Sequence, residues 1–288
     1  IGLISYRSNP HCGGQGVYIR HLSHALSDLG HQVEVIAGPP DPQLNNRVNN
    51  LPGRRPVELT MLETLDLYNP ENLFRTPRIA ELKDPVNLIE WLDISAMGYP
   101  EPWTFGMRVK RHLKATRKRF DIIHDNQSLS YGILSLARQM PVTATIHHPM
   151  TVDRRLAVQD AATFIKKLKA IRWYSFISMQ KRVARRLPNL ITVSDSSKAD
   201  ISKEFSIPEN RFTTIPIGID TNHFYPVETI KKDPEQIIVT NSADTPLKGL
   251  AYLLRAVKNI SEKRPVKLVV IGEPKKKGTI EQLVNKLE

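Results

Sequence analysis

Cysteine is almost missing from this chain: Cys12 is the only one in 288 residues. That excludes an internal disulfide and fits a reducing, cytoplasmic setting. Cys12 itself reads as incidental rather than nucleophilic. Long apolar runs are missing too, and with no stretch of eighteen such residues no segment is suited to cross a membrane as a helix. There is neither a signal peptide nor an initiating methionine, so the start is expected to be trimmed. The nucleotide motifs G-x-G-x-x-G and G-x-x-x-x-G-K-[ST] are both absent, which removes support for a nicotinamide enzyme or a P-loop ATPase. Acidic residues are scarce: 29 Asp and Glu face 41 Lys and Arg, for a net charge of +12. Residues 101–200 carry that whole surplus. Such a basic stripe suits phosphorylated substrates or anionic lipid, and no recognisable nucleic-acid module accompanies it.

What is present starts at the amino terminus. Ile1 to Tyr6 reads as a short buried strand, and a turn-rich loop follows, ending in Gly13-Gly14-Gln15-Gly16. Tyr18, Leu22, Ala25, Leu26 and Leu29 then mark one face of a helix. Gly30 stands where a left-handed cap is wanted, and Val33 to Ile36 resumes strand character. A strand, glycine loop, helix and strand imply a parallel sheet with a ligand at its carboxyl edge. Gly13, Gly14 and Gly16 could take positive φ and let N–H groups approach an anion, with the helix dipole behind them.

The alternation continues. Val57 to Leu62 reads as a third strand. Residues 63–103, broken by five prolines, read as a lid or substrate-side insertion with one helix near Val86 to Met97; Tyr68, Phe74, Trp91, Tyr99 and Trp103 could line an acceptor pocket. Phe105, Val109 and Leu113 predict a basic amphipathic helix ending near Arg119. Residues 121–124 read as a strand, Asp125 to Ser128 as a crevice-facing loop, Leu129 to Ala137 as a helix and Val142 to Ile146 as a strand ending in His147-His148-Pro149. One histidine there suits a substrate hydrogen bond or a proton transfer better than it suits a metal. Residues 154–187 are strongly basic, with Phe164, Leu168, Ile171 and Ser175 at helical spacing. This face either packs on the sheet or rests on an anionic membrane surface.

Leu190 to Val193 reads as a strand, Asp195-Ser196-Ser197 as cap chemistry for a helix through Phe205, and Arg211 to Ile215 as the last strand of this half. The pattern restarts with a strand at Gln236 to Thr240, a polar loop, Pro246 at a first helical position, a helix face through Val257, a strand at Val266 to Ile271 and a helix from Glu281. The expected organisation is therefore α/β: a Rossmann-like domain over 1–220, a linker over 221–235, and part of a second Rossmann-like domain over 236–288.

Together these stretches resemble the GT4-type retaining glycosyltransferases, enzymes of GT-B architecture with two doubly wound parallel-sheet domains. The resemblance rests on GGQGVYIRHLSHALSDLGHQVEVIAG, FDIIHDNQ, ATIHHP, LITVSDSSKADI, IPIGIDTNHFYP and PLKGLAYLLRAV, in that order. It implies a nucleotide-sugar donor between two domains, a sugar, lipid or small-molecule acceptor on the first, retention of configuration, and no cofactor or catalytic metal. Gly14 would contact the donor diphosphate, permitted by Gly13 and Gly16. His147 would bond the donor sugar, and Lys248, beside Gly249, would neutralise the leaving diphosphate together with Ser242. Asn126, Gln127 and His148 would serve the acceptor. The expected setting is cytoplasmic, with peripheral membrane contact through the basic helices.

Three departures from the family pattern stand out. Ala243 occupies the place of an arginine, Ile217 replaces the asparagine of the I-P-N-G-V-D turn, and the paired-glutamate segment would fall beyond Glu288. By itself the chain is therefore expected to be catalytically weak or inert. A non-catalytic sugar-nucleotide-binding protein is the alternative. A sugar-nucleotide epimerase is a further one, with Asp125 as its single obvious carboxylate.

Overall fold

In the computed structural model, residues 1–11, 14–44, 56–229, 231–240, 248–272 and 278–287 are described. The first apolar run forms β1 (Gly2–Ser5), every residue of it buried. It is joined by β2 (Glu34–Ala37), β3 (Glu58–Met61), β4 (Ile123–Asn126), β5 (Val142–Ile146), β6 (Asn189–Thr192) and β7 (Phe212–Thr214). All seven pair in parallel, in the order β3-β2-β1-β4-β5-β6-β7. The order turns back between β1 and β4, the place where a doubly wound sheet opens a ligand crevice at its carboxyl edge.

Strand alternation sends side chains to opposite faces, and both faces are covered. Leu3, Val35 and Ala37 pack with Ile19 on one side, while Ile4, Ile36 and Ile123 join Phe105, Val109 and Ile133 on the other. Ile19 belongs to α1 (Gly14–Asp28), whose end matches expectation: Gly30 has φ +90°, and the His31 N–H reaches the Leu26 carbonyl at 3.2 Å. Its buried stripe differs from the one the apolar spacing predicts. Gly16, Ile19, Ser23 and Ser27 face inward, Leu22 and Leu26 flank them, and Ala25 and Leu29 lie in water. Small polar residues let the helix sit close to the sheet, and apolar spacing cannot register that.

The 63–103 segment is more deeply embedded than a lid. Leu65 and Leu67 are fully buried, and α2 (Pro85–Ser95) is tied to α3 (Glu101–Thr116) by a buried ion pair between Glu90 and Arg108. The helix expected from Phe105, Val109 and Leu113 thus begins at Glu101, with Pro102 in its first turn, and ends three residues before Arg119. It meets α4 (Tyr131–Leu136) at two glycines. A methyl group on Gly132 would stand 2.0 Å from the Gly106 carbonyl oxygen, so only glycine allows this crossing.

After β5 the chain forms α5 (Thr151–Gln159), α6 (Phe164–Trp173) and α7 (Ile177–Ala184). The apolar face of α6 does not pack on the sheet: Phe164 is 79% exposed and Leu168 56%. Helix α8 (Asp195–Phe205) is capped by Ser194, whose hydroxyl accepts from the Ser197 N–H, one residue earlier than the predicted Asp195 to Ser197 cap.

Contacts divide the chain into two units, Ile1–Gly218 and Ile219–Glu288. In the second, β8 (Gln236–Thr240) pairs in parallel with β9 (Lys267–Ile271), accompanied by α9 (Leu250–Ser261) and α10 (Thr279–Leu287). Pro246 and the expected loop from Asn241 to Thr245 lie outside the described residues.

Candidate active site at the carboxyl edge of the sheet

Three strand ends converge here. From β1 come Arg7 and Asn9; from β4 come Asn126 and Gln127; from β5 comes His147. The strand β4 runs two residues further than its apolar pattern suggests, so Asn126 is a strand residue and the turn begins at Gln127.

Asn126 is fully buried and makes three contacts. Its Nδ2 donates to the Gln15 carbonyl at 3.1 Å and lies 3.4 Å from the Ser5 hydroxyl, while Oδ1 is 2.8 Å from His147 Nε2. A carbonyl can only accept, so the amide nitrogen must face Gln15 and the amide oxygen must face the histidine. His147 Nε2 therefore carries the proton. Burial, with a smaller push from His148, lowers the His147 pKa to about 4, so the ring is neutral near pH 7 and Nδ1 is its acceptor nitrogen. Tyr18 fixes the ring plane, edge to face at 4.8 Å between centroids. The Tyr18 hydroxyl in turn meets Thr145 Oγ1 at 3.1 Å, and Thr145 meets His124 Nε2 at 3.0 Å. His124 is also pushed down to about 4, by burial and then by His147.

Gln127 works on the backbone. Its Oε1 accepts from the His147 N–H at 2.7 Å and its Nε2 donates to the His148 carbonyl at 3.0 Å, so one amide clamps both histidine peptides. The turn carrying it is strained: Gln127 has φ +56° and Leu129 φ +47°, with no glycine at either position. Two groups hold it. Asp125 accepts from the Ser128 hydroxyl at 2.5 Å and the Leu129 N–H at 2.7 Å, and Gln180 Nε2 donates to the Gln127 carbonyl at 3.1 Å. Burial raises the Asp125 pKa to about 6, against the pull of those donors. Asp125 is enclosed and occupied, which leaves the epimerase reading without an exposed carboxylate at this turn.

The two histidines diverge. His148 is exposed and lies 3.6 Å from Asp153, away from Asn126. Adjacent residues pointing apart make no metal pair, and among the described residues no three His, Cys, Asp or Glu side chains cluster as ligands.

Gly14 and Gly16 both lie in the first turn of α1 with ordinary negative φ, so positive φ is not their use. Gly16 is required for packing, since a Cβ there would sit 2.0 Å from the Asn9 carbonyl oxygen. Gly14 is different: a Cβ would meet nothing within 4 Å. That open space belongs to a cavity of about 380 Å³ lined by Arg7, Asn9, Gly14, Gln15, Asp66 and Tyr68. Arg7, a residue the sequence pattern does not single out, donates to Glu101 at 2.7 Å and lies 4.8 Å over the Tyr68 ring. The signal for it was a cation two residues past the first strand. The insertion's aromatics divide among three cavities: Tyr68 in this one, Phe74 and Trp91 in a second, Tyr99 and Trp103 in a third.

Gly13 and Ser242, like Cys12, lie outside the described residues. Lys248 and Gly249 belong to the second unit. Lys248 is exposed, and Gly249 caps α9 with φ +71°. Among the described residues no helix is long and apolar enough to cross a membrane.

The sequence model of the family described as Glycosyltransferase Family 4 matches residues 12–223. The chain is 44% identical to an MMP α-(1→4)-mannosyltransferase of Mycolicibacterium hassiacum, over 100% of this chain and 67% of that protein. Among solved structures, a sucrose-phosphate synthase of Thermosynechococcus elongatus superposes with a TM-score of 0.64 at 19% identity, over 99% of this chain and 67% of that one. The catalytic domain of starch synthase IV from Arabidopsis thaliana, bound to ADP and acarbose, gives 0.58 at 12% identity, over 99% of this chain and 70% of that one. The fold is thus the α/β fold of GT-B type.

Proposed function

The chain belongs to Glycosyltransferase Family 4 and is a glycosyltransferase, and from that premise we propose that it moves a hexosyl group from a nucleotide-sugar donor to a sugar, lipid or small-molecule acceptor, with retention and without a metal. Mannose as the transferred sugar is supported by the relative's name. An α-linked product drawn from an α-configured nucleotide sugar keeps the anomeric configuration.

One observation carries the reading. Asn126 joins the neutral His147 ring to the Gln15 carbonyl in the glycine segment, so crevice histidine and glycine turn are one rigid assembly. With Nε2–H spent on Asn126, the His147 Nδ1 accepts a hydrogen bond from a hydroxyl of the donor sugar. The open face of Gly14, at the positive end of α1, receives the diphosphate. Gly13, Ser242 and Gly249 complete the donor contacts. Lys248 supplies the cation for the leaving diphosphate, whose charge grows in the transition state, so a fixed cation there lowers the barrier. Asn126 and Gln127 act on the acceptor side, Asn126 by holding the His147 ring and Gln127 by holding the peptides of both histidines. His148, exposed, is the one of the three that touches the acceptor. Residues 221–235 serve as linker, and 236–288 as part of the donor-binding domain. The exposed apolar residues of α6 beside Lys166 and Lys167 keep a peripheral membrane contact within this reading.

The test is a binding and turnover screen of UDP-, GDP- and ADP-sugars, on this chain and on a longer form reaching the length of its relative. One nucleotide sugar should bind the longer form. Lys248→Ala and His147→Ala should each lower kcat about 10²-fold or more. If no nucleotide sugar binds the longer form, the donor assignment is wrong.

A further inference from the structure

A second cavity, of about 560 Å³, lies between α2 and the helices α5 and α6, on the far side of the 65–70 strip from the glycine segment. Along that strip Asp66 and Tyr68 face the glycine-side cavity, whereas Leu67 faces this one. Its wall is apolar and aromatic: Leu67, Trp91, Ile94, Ala170 and Trp173 contribute. None of the residues placed in the transferase site lines it. Its size falls in the roughly 300–1,000 Å³ range of small-molecule sites.

Two cations stand on this wall, Arg75 and Lys169. Arg75 is occupied by Glu81, at 3.0 and 2.6 Å. Lys169 has no acidic partner among the described residues. Helix α6, Phe164–Trp173, contains no acidic residue, and its Arg172 is paired with Asp93 of α2. An apolar chamber with one unpaired ammonium at its mouth is complementary to a ligand with one alkyl chain and one negative charge.

We propose that this cavity is a binding site for a single-chain anionic amphiphile, the alkyl chain lying between Trp91 and Trp173 and the anionic head meeting Lys169. The site does not depend on the donor assignment, because it can be read without any nucleotide sugar.

The chain has three tryptophans, two of them in this wall. Binding is therefore read by tryptophan fluorescence, with calorimetry alongside. The probes are octanoate, decanoate and dodecanoate below their micelle concentrations, uncharged dodecanol, and ω-brominated dodecanoate as a contact quencher. Burial of about 0.8 kcal/mol per methylene predicts roughly fourfold tighter Kd for each one added, until the chamber is full. Lys169→Gln should weaken dodecanoate about two- to fivefold and leave dodecanol unchanged. Ala170→Trp, which fills the chamber, should abolish saturable binding. Its fold is checked by circular dichroism, and the chain-length series on the unaltered protein decides the matter if that variant fails to fold.

Phosphatidylglycerol vesicles form the competing arm. Vesicle binding that is lost in Phe164→Glu, together with no saturable binding of monomeric dodecanoate, would make the outer face of α6 a membrane contact and overturn the cavity proposal. Affinity independent of chain length would overturn it equally.

Discussion

The Asn126 side chain lies between His147 Nε2, 2.8 Å from its oxygen, and the Gln15 carbonyl, 3.1 Å from its nitrogen. One primary amide thereby fixes a tautomer on one side and a helix start on the other. No other neutral side chain of that length offers both a donor and an acceptor there.

Asn126→Asp is the sharpest test of this arrangement. The carboxylate cannot donate to Gln15 and places a negative charge on the ring, so the His147 pKa should climb from about 4 by roughly 1–3 units. Histidine proton titration by NMR reads that shift directly. Losing the Gln15 bond should cost about 1–3 kcal/mol of stability. An unmoved His147 titration would mean that the ring is not bonded to residue 126 in solution.

Stability should rise with pH between about 4 and 6. His124 and His147 both have folded pKa values near 4, below their ordinary 6.5, so the unfolded chain binds more protons in that window, about two in all. Asp125 opposes them: its folded value is raised from 3.8 to about 6, so there the folded chain holds about one extra proton. The net difference is about one proton, or roughly 1.4 kcal/mol per pH unit. Asp125→Asn removes the opposing group and should nearly double the slope. Urea titrations at several pH values measure it, and a slope unchanged by the substitution would contradict the buried, protonated carboxyl.

Gly14 and Gly16 should separate ligand binding from folding. Gly16→Ala drives a methyl group into the Asn9 carbonyl, 2.0 Å away, and should destabilise the chain by about 2 kcal/mol or more. Gly14→Ala meets nothing within 4 Å, so thermal unfolding should move little while nucleotide-sugar affinity falls. Equal effects from the two alanines on melting would remove the distinction.

The Glu90–Arg108 pair ties α2 to α3. Glu90→Ala leaves a buried guanidinium without its carboxylate and should cost about 3–5 kcal/mol. Replacing both partners with apolar residues of similar volume should cost less. A double-mutant cycle read by chemical denaturation decides it, and a Glu90→Ala loss under 1 kcal/mol would show the pair to be peripheral.

Much of this was legible in the residues alone. Short β-branched runs, Gly30 after a helix, and turn-rich strand ends repeat strongly enough to specify a parallel α/β sheet, and each signal is local. Val142 to Ile146 and Gln236 to Thr240 match their strands residue for residue, because both are short runs rich in β-branched residues. His147 also stood out, as a polar residue at the end of such a run.

Other features depend on groups distant in sequence. Arg7 meets Glu101 across ninety-four residues and Asn126 meets Gln15 across one hundred and eleven, so no window along the chain contains either relationship. The role of Gly16 is decided by the backbone oxygen of Asn9, and that of Gly132 by the backbone oxygen of Gly106. The division of the insertion's aromatics among three cavities was likewise a matter of tertiary packing. The residue types determined which chemistry was available at the sheet edge. Only the meeting of strand ends, with their fixed hydrogen-bond donors and acceptors, decided which nitrogen of His147 is free to use it.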